Sequence, residues 1–531
     1  MSEETPETAR YVKRIREWTL SKQRSLLRPT PTPHQLSFQI HAAARSAFFD
    51  GKTKSIPYRK EQIAQLGYLI KDNEDRIHEA LKLDLGRHPL ESELYDFGPS
   101  FKDIRIAYDN VERWTAPQSA EFNMSYFSMG PKTKAEPKGT VLIVSAFNLP
   151  VFLTISPMAS AIAAGCTFVL KPSEATPNMN KLWAELLPKY LDPNLYKIIL
   201  GGPEQMKKVL ELRWDHILYI GGERVGRIIA EAAAKHLTPT TLELGGKNPV
   251  VVDSKADLKL MAKRVLWGRF GNAGQVCTAP EYILATEDVH AQLVEALKET
   301  YASFYPDGAD KSESIAKIVA KSHAERIKRL LDGTKGSVIC GGTSNVEERF
   351  IAPTIVDNVS ADDTLMSEEI FGPVLSVVPV KDVDAAIEFI RAREHPLCVY
   401  VFSSDKKFQE RVFSNTKSGA AVANEVVISP AIPHLPVGGV GASGHGYYGS
   451  KGGFDSFTHQ RVSFDNPWWS DTFVTGFRFP PYAMNFKRGI SLMYPALPPR
   501  PKGGQHRWAF WLACCCAGLL GMGLMTIADF S

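Results

Sequence analysis

The chain has 531 residues, of which 44% are hydrophobic and 23% charged, which indicates a folded protein of two or three domains. The net charge is only +4, from 62 basic and 58 acidic side chains, and gives no general basis for binding nucleic acid. Seven cysteines are too few for a disulfide framework and indicate buried, reduced thiols in a protein that faces the cytosol. No His or Cys pair has zinc-ligand spacing, so we assign no metal.

Residues 1–37 form a basic N-terminal extension without the pattern of a signal peptide. Tyr11, Ile15 and Trp18 follow helical spacing among basic residues, so a short amphipathic helix on an anionic membrane or another surface is one interpretation. The interrupted prolines of residues 29–33 favour a linker instead. We therefore predict a solvated, flexible arm.

Short apolar runs alternate with helical stretches in the middle of the chain. Uniformly apolar strands separated by helices indicate a parallel sheet covered on both faces, and hence the α/β class. The predicted strands are residues 140–144, 167–170, 196–200 and 216–220, and the predicted helices are residues 157–164, 181–187, 204–212 and 225–236.

Polar residues and glycines follow these strands, where parallel sheets bind their ligands. Asn148 follows the first strand. Lys171 and Glu174 follow the second and could bind the hydroxyls of a ribose, although a surface turn is the alternative interpretation. A later glycine turn opens a helix and suits a phosphate, but it lacks the lysine of a P-loop, which disfavours a nucleoside triphosphatase. The glycines of this turn are Gly221, Gly222 and Gly226.

Two further residues could carry covalent chemistry. Glu243 stands in an apolar run before two glycines, where a raised pKa would suit a general base; a salt-bridged turn residue is the alternative. Cys277 follows a loop of Gly, Asn and Gln, which favours a nucleophile over the inert core thiol that most single cysteines are.

Residues 508–527 form an uncharged run of 20 residues. As a helix it would span about 30 Å, the thickness of a bilayer core. Lys502, His506 and Arg507 precede it and a single acid follows it, which places the bulk of the protein in the cytosol. A buried amphipathic helix is the alternative, but the run lacks a polar face. We predict a C-terminal transmembrane anchor, whose cysteines at residues 514–516 are either acylated or small helix-packing residues.

Several motifs in this order resemble the aldehyde dehydrogenase superfamily, over about residues 38 to 465. Glu243 lies in a motif followed by two glycines, and Cys277 ends the loop 274–277. The 34-residue distance between them also resembles the family pattern. The other matching segments are residues 147–148, 171–174, 368–373, 436–444 and 456–461. The last two resemble the class 3 branch, and with the hydrophobic tail the chain resembles the membrane-bound fatty aldehyde dehydrogenases.

The resemblance implies roles for these residues. Cys277 would attack the aldehyde carbon, the amide of Asn148 would hold the oxyanion, and Glu243 would activate the water that hydrolyses the thioester. NAD is the implied cofactor and NADP the alternative, because Glu174 opposes a ribose 2′-phosphate by like charge. The implied cofactor-binding residues are Lys171 and Glu174 at the adenosine ribose, Gly221, Gly222 and Gly226 at the pyrophosphate, and Glu369 and Phe371 at the nicotinamide ribose and ring.

It also implies an architecture and an assembly. We expect a Rossmann-like parallel-sheet NAD-binding domain, an α/β catalytic domain, a small β oligomerisation arm and a C-terminal transmembrane helix. Class 3 relatives are dimers, so we expect a homodimer. The predicted ranges are 1–37 for the extension, 38–246 for the NAD-binding domain with part of the arm near 120–138, 247–435 for the catalytic domain, 436–465 for an oligomerisation or bridging segment, 466–507 for a linker and 508–527 for the anchor.

Two positions depart from the family pattern. Gly222 stands where a Ser or Thr is common, so a side-chain contact to the pyrophosphate is lost, although the backbone can still donate. Leu149 replaces an aromatic residue after the oxyanion asparagine, and we expect it to alter the substrate tunnel.

The anchor implies a medium- or long-chain aliphatic aldehyde as substrate, because such molecules partition into bilayers. It also implies a catalytic part that faces the cytosol from the endoplasmic reticulum or the mitochondrial outer membrane. A semialdehyde or aromatic aldehyde would need the same motifs. Two other classes stay open: a thioesterase or esterase that uses Cys277 without redox chemistry, which the cofactor motifs disfavour, and a silent membrane scaffold, which the retained catalytic residues disfavour.

Overall fold

The computed structural model describes residues 33–123, 125–472, 476–482 and 497–499. Its α-helices are α1 (Pro33–Phe49), α2 (Ile56–Lys71), α3 (Glu74–Leu85), α4 (Pro89–Ser92), α5 (Gly98–Thr115), α6 (Phe152–Ala164), α7 (Pro177–Tyr190), α8 (Pro203–Leu210), α9 (Glu223–Ala234), α10 (Leu258–Phe270), α11 (His290–Phe304), α12 (Lys321–Gly333), α13 (Val383–Arg391), α14 (Lys406–Asn415) and α15 (Ser450–Ser456). Its strands are β1 (Gln118–Ser119), β2 (Lys132–Pro137), β3 (Thr140–Val144), β4 (Thr167–Lys171), β5 (Tyr196–Ile198), β6 (His216–Ile220), β7 (Thr240–Glu243), β8 (Asn248–Val252), β9 (Pro280–Thr286), β10 (Ser337–Cys340), β11 (Ser344–Asn345), β12 (Phe350–Ile351), β13 (Thr354–Asp357), β14 (Val374–Val380), β15 (Cys398–Phe402), β16 (Ala420–Ala423), β17 (Gly444–His445) and β18 (Thr458–Ser463).

The first large sheet has six strands in the order β17-β7-β6-β3-β4-β5. Strands β3 to β7 run parallel, and only β17 is antiparallel to its neighbour. Every residue of β3, β4 and β6 is buried, as expected of a parallel sheet covered on both faces. Strand β4, which follows β3 in the chain, pairs with one side of β3, and the later strand β6 pairs with its other side. The strand order therefore reverses at β3, and parallel sheets bind their ligands at such a point. The predicted parallel α/β sheet is confirmed.

The second large sheet has seven strands in the order β10-β13-β14-β9-β8-β15-β16. Its neighbours pair in parallel except β10 and β13. Four residues, 244–247, join β7 of the first sheet to β8 of the second. In chain order, the carboxyl end of β7 is therefore followed closely by β8, the first strand of the second sheet.

Helix α6 begins earlier than predicted. The expected start at Pro157 rested on the preference of proline for a first helical turn, but α6 begins at Phe152 and contains Pro157. The Asp96 carboxylate accepts hydrogen bonds from the backbone N of Val151 at 2.9 Å and of Phe152 at 2.7 Å. It caps the helix from 55 residues away, so the local sequence could not reveal this start. Gly165 ends α6 in a left-handed conformation, as predicted.

The described chain forms two compact units. Residues 33–116 and 135–461 form the larger unit, which contains both large sheets. The smaller unit comprises residues 117–134 together with the described residues from 462 onward. Two minor sheets have the orders β1-β2-β18 and β11-β12. The predicted domain boundaries stay predictions.

Both predicted terminal segments fall largely outside the described residues. Helix α1 begins at Pro33, inside the range 1–37 predicted as an extension, and residues 1–32 are not described. The predicted anchor at 508–527 also lies outside them. Among the helices that the structure describes, none has both the length and the apolar character needed to cross a membrane.

Candidate active site

One cavity of about 1000 Å³ lies at the carboxyl ends of β3, β4, β6 and β7. It brings together residues from 144 to 442 of the chain. The predicted site residues that line it are Asn148, Lys171, Glu174, Gly221, Gly222, Glu243, Cys277, Glu369 and Phe371. Gly226 is the exception, because it is buried in α9 and a Cβ built there would lie 2.9 Å from Leu244 Cδ2. Its role is helix packing rather than direct contact with the cavity.

Cys277 lies in the turn between α10 and β9. The Asn248 side chain fixes its backbone by donating from Nδ2 to the Cys277 carbonyl oxygen at 2.8 Å. Burial, and then the neighbouring Cys398, Glu369 and Glu243, together raise the pKa of this thiol to about 12. Near neutral pH the thiol is therefore protonated, so a nucleophilic attack requires that its proton be transferred.

Glu243 is the last residue of β7 and is only 4% exposed. Its Oε1 atom has no hydrogen-bond partner among the residues that the structure describes, and burial raises the pKa of the carboxyl well above its usual value. A buried carboxyl without a partner lowers stability, so its presence indicates a chemical use. A carboxyl with a raised pKa on the same cavity as Cys277 is suited to accept a proton near neutral pH.

Asn148 lies four residues beyond β3 and is buried. Its Nδ2 donates to the Gln275 carbonyl oxygen at 3.0 Å, which fixes the amide against the turn that carries Cys277. An amide nitrogen has two hydrogens. One is used by Gln275, and the other is available to an oxygen atom in the cavity.

Lys171 and Glu174 lie at the end of β4, at another part of the cavity. The buried Lys171 Nζ donates to the Pro172 carbonyl oxygen at 2.8 Å and to Glu174 Oε2 at 3.2 Å. The Glu174 side chain is half exposed. Its carboxylate is therefore held by one cation but stays accessible to hydroxyl groups of a ligand.

The turn between β6 and α9 borders open space at a helix N-terminus. Gly222 is the N-cap of α9 without a side-chain cap, and a Cβ built at Gly222 would meet no atom of the described residues within 4 Å. Gly221 is held instead, since its N–H donates to the Glu243 carbonyl oxygen at 3.0 Å. Backbone N–H groups at the start of a 12-residue helix attract anions. The residues present thus fit the pyrophosphate of a dinucleotide.

Comparison with known proteins assigns the family. The model of the aldehyde dehydrogenase family matches residues 33–462. The chain belongs to the aldehyde dehydrogenase family. Aldehyde dehydrogenase family 3 member B3 of Mus musculus is 41% identical over 83% of this chain and 91% of its own length. The "Aldehyde dehydrogenase, dimeric NADP-preferring" of Canis lupus familiaris is 40% identical over 83% of this chain and 97% of its own. The substrate-bound structure of Staphylococcus aureus AldH has a TM-score of 0.83 and 38% identity, and it covers 86% of this chain and 99% of its own.

This aldehyde dehydrogenase holds its segment 369–371 through a buried carboxylate, Glu281. Glu281 Oε1 accepts from the backbone N of Ile370 at 2.7 Å and of Phe371 at 3.2 Å, while Oε2 pairs with Lys247 Nζ at 2.6 Å. Burial, and then the charge of Glu281, raises the pKa of Glu369 to about 7. The segment that carries two predicted cofactor contacts is thus fixed by charge as well as by packing.

The Phe371 ring also has a defined neighbour at the cavity. It lies edge-to-face with Phe147, with 5.8 Å between the ring centroids. Phe147 in turn contacts the ring of His323, at 5.5 Å. These three rings form an aromatic wall of the cavity, which includes Phe371, the residue that we predict to lie at the nicotinamide ring.

Glu281 and Arg269 stabilise this part of the site, and neither was predicted from the sequence. Arg269 is fully buried, pairs with Glu281 at 3.4 Å and also donates to the Gly372 carbonyl oxygen. A usable signal was present, because Glu281 is the charged residue of an otherwise uncharged strand, β9. A charge in such a strand indicates a buried ion pair.

Proposed function

We propose that this aldehyde dehydrogenase oxidises medium- to long-chain aliphatic aldehydes to carboxylic acids through a covalent intermediate on Cys277. Oxidation of aldehydes follows from the family to which the chain belongs. The observation that carries the covalent route is the convergence on one cavity of a thiol, an amide and a buried carboxyl whose Oε1 has no partner in the described part of the chain. These are the nucleophile, base and oxyanion donor that acyl chemistry needs.

Each side chain has a defined step in this proposal. Cys277 Sγ forms a bond to the aldehyde carbon while the thiol proton passes to Glu243 or to water, and the aldehyde oxygen becomes an oxyanion. A proton accepted by Glu243 is released to solvent before the thioester is hydrolysed. The free N–H of the Asn148 amide and the backbone N–H of Cys277 stabilise that charge. Bound NAD(P) supplies the hydride acceptor for the oxidation. Glu243 then takes a proton from the water that hydrolyses the thioester, which releases the acid and restores the thiol.

The cofactor is NAD(P), and we propose a preference for NAD. The Glu174 carboxylate lies 3.2 Å from Lys171 Nζ and is half exposed, so it can accept from ribose hydroxyls. The same negative charge repels a 2′-phosphate. The canine relative is named as NADP-preferring, so the cofactor preference of the present chain has to be tested at Glu174 itself.

The proposed substrate class follows from the proposed location of the protein. The uncharged segment 508–527 supports attachment to the endoplasmic reticulum or the mitochondrial outer membrane, with the catalytic part in the cytosol. Long-chain aldehydes partition into bilayers, so an anchored enzyme meets them at high local concentration. We also propose a homodimer, which the word "dimeric" in the name of the canine relative supports.

A chain-length series tests the substrate. We would measure kcat/KM for saturated aldehydes from 2 to about 16 carbons, with NAD and with NADP, alongside an aromatic aldehyde and a semialdehyde. We expect kcat/KM to rise with chain length, because each buried CH₂ contributes about 0.8 kcal/mol. A maximum at short-chain, aromatic or semialdehyde substrates would contradict the aliphatic assignment.

Two variants separate the catalytic and membrane parts of the proposal. Cys277→Ser should abolish NADH formation while NAD still binds, and near-normal turnover would contradict the nucleophile assignment. Removal of residues 506–531 should release a soluble, active enzyme from membranes. Persistent association of this truncated chain in alkaline carbonate would show that the anchor lies elsewhere.

A further inference from the structure

Arg87 is a buried guanidinium that contacts both sides of the site. It is 2% exposed and lies between α3 and α4. Its Nε and Nη2 donate to Asn272 Oδ1 at 3.1 and 2.8 Å, and Nη2 also donates to the carbonyl oxygen of Asn148. One side chain therefore joins the loop that carries the oxyanion amide to the turn that carries the nucleophile.

The Asn272 amide is oriented by this fork. Because its Oδ1 faces the guanidinium, its Nδ2 must point the other way, where it donates to Asn148 O and Gln275 O, both at 3.0 Å. Gln275 O is also the acceptor for Asn148 Nδ2. Asn272, Gln275 and Asn148 thus form a closed ring of hydrogen bonds, which holds Asn148 by both its backbone carbonyl and its side-chain amide. A rotated Asn272 amide would place donors against the guanidinium and break the ring.

Asp96 holds the guanidinium from the other side. It forms a fully buried ion pair with Arg87 Nη1, and its second oxygen accepts from Val151 N and Phe152 N at the start of α6. The carboxylate is therefore held by the start of α6 as well as by Arg87. A planar fork fixed at one end and bonded at the other restricts position in a way that a single flexible ammonium cannot.

We propose that Arg87, anchored by Asp96, is the positioning residue that aligns the Asn148 amide with the Cys277 thiol. The proposal rests on the proposed function, because it concerns the same oxyanion site. Arg87 does not line the cavity and acts through Asn272 and Asn148. Its loss should therefore lower the rate of the chemical step while NAD affinity stays unchanged.

Arg87→Ala tests the proposal. We expect kcat to fall on the order of 100-fold, since misplacement by about 1 Å has such an effect, with the NAD Kd within about twofold of the parent. The burst of NADH in the first turnover should fall with kcat, because the oxyanion forms before hydride transfer. Added guanidinium ion at millimolar concentration should restore several-fold activity by filling the vacated site, and Arg87→Lys should retain more activity than Arg87→Ala.

Arg59→Ala is the matched control, because Arg59 is also buried but donates to Thr53 O and Ala163 O, outside the cavity lining. It should lower the thermal midpoint without reducing kcat per folded molecule and without rescue by guanidinium. Parent-like kcat in Arg87→Ala would overturn the positioning role. So would a loss of kcat that guanidinium does not restore and that Arg59→Ala shows to the same extent. Absence of NADH formation by the parent chain with every aldehyde would instead contradict the proposed function.

Discussion

The nucleophile end and the adenosine end of the cavity are built differently. Around Cys277, groups far apart in sequence hold one another, such as Arg87 and Asn272, which are 185 residues apart. At the adenosine end, Lys171 and Glu174 are three residues apart and pair directly after a strand. The nucleophile end is buried and held by hydrogen bonds, while at the adenosine end the Glu174 side chain is half exposed. Substitutions should therefore have large effects at the first end and graded effects at the second.

The largest effect in this comparison is expected for Glu243→Gln. Loss of the base should reduce steady-state turnover by at least 100-fold but leave the first-turnover burst of NADH in place. Because burial raises the pKa of Glu243, its carboxylate form increases as pH rises through that pKa. Deacylation in the parent should therefore accelerate with pH, and this dependence should vanish in the variant. Rapid-quench kinetics across pH would check both points, and an unchanged steady-state rate would contradict the base role.

Glu174→Gln should have an intermediate effect. Removal of the like charge should raise kcat/KM for NADP relative to NAD on the order of tenfold, because a charge pair near the surface contributes about 1 kcal/mol and the lost ribose contact weakens NAD. The matched control is Glu185→Gln, which removes a partly exposed, ion-paired carboxylate that does not line the cavity. An equal cofactor ratio in the two variants would show that Glu174 does not read the ribose.

Gly222→Ser should have the smallest effect and should improve binding. The added side chain enters open space, so it can donate to a pyrophosphate oxygen and lower the NAD Kd about two- to fivefold. Ala320→Ser is the control, because Ala320 is likewise an N-cap without a side-chain cap, on α12. Calorimetric titration should show tighter NAD binding only for Gly222→Ser. Weaker binding would mean that the phosphate does not lie over this helix.

The same contrast explains which features the sequence could reveal. Strand β6 and the glycine turn after it were predictable, because uniform hydrophobicity and the glycines are local signals. The start of α6 was not, since Asp96 caps it from 55 residues away. Arg87 gave no signal either, because a lone arginine between two helices is ordinarily exposed. Long-range hydrogen bonds, rather than local propensity, hold the reactive end.

The central claim is that Cys277 carries the acyl group, and intact-protein and peptide mass spectrometry of Glu243→Gln tests it directly. After mixing with NAD and an aliphatic aldehyde and quenching in acid, we expect one added acyl group per chain, located on the peptide that contains Cys277. The parent, quenched in the steady state, should carry less of it. An unmodified Cys277 in an NADH-forming variant, or an acyl group on another residue, would contradict the account.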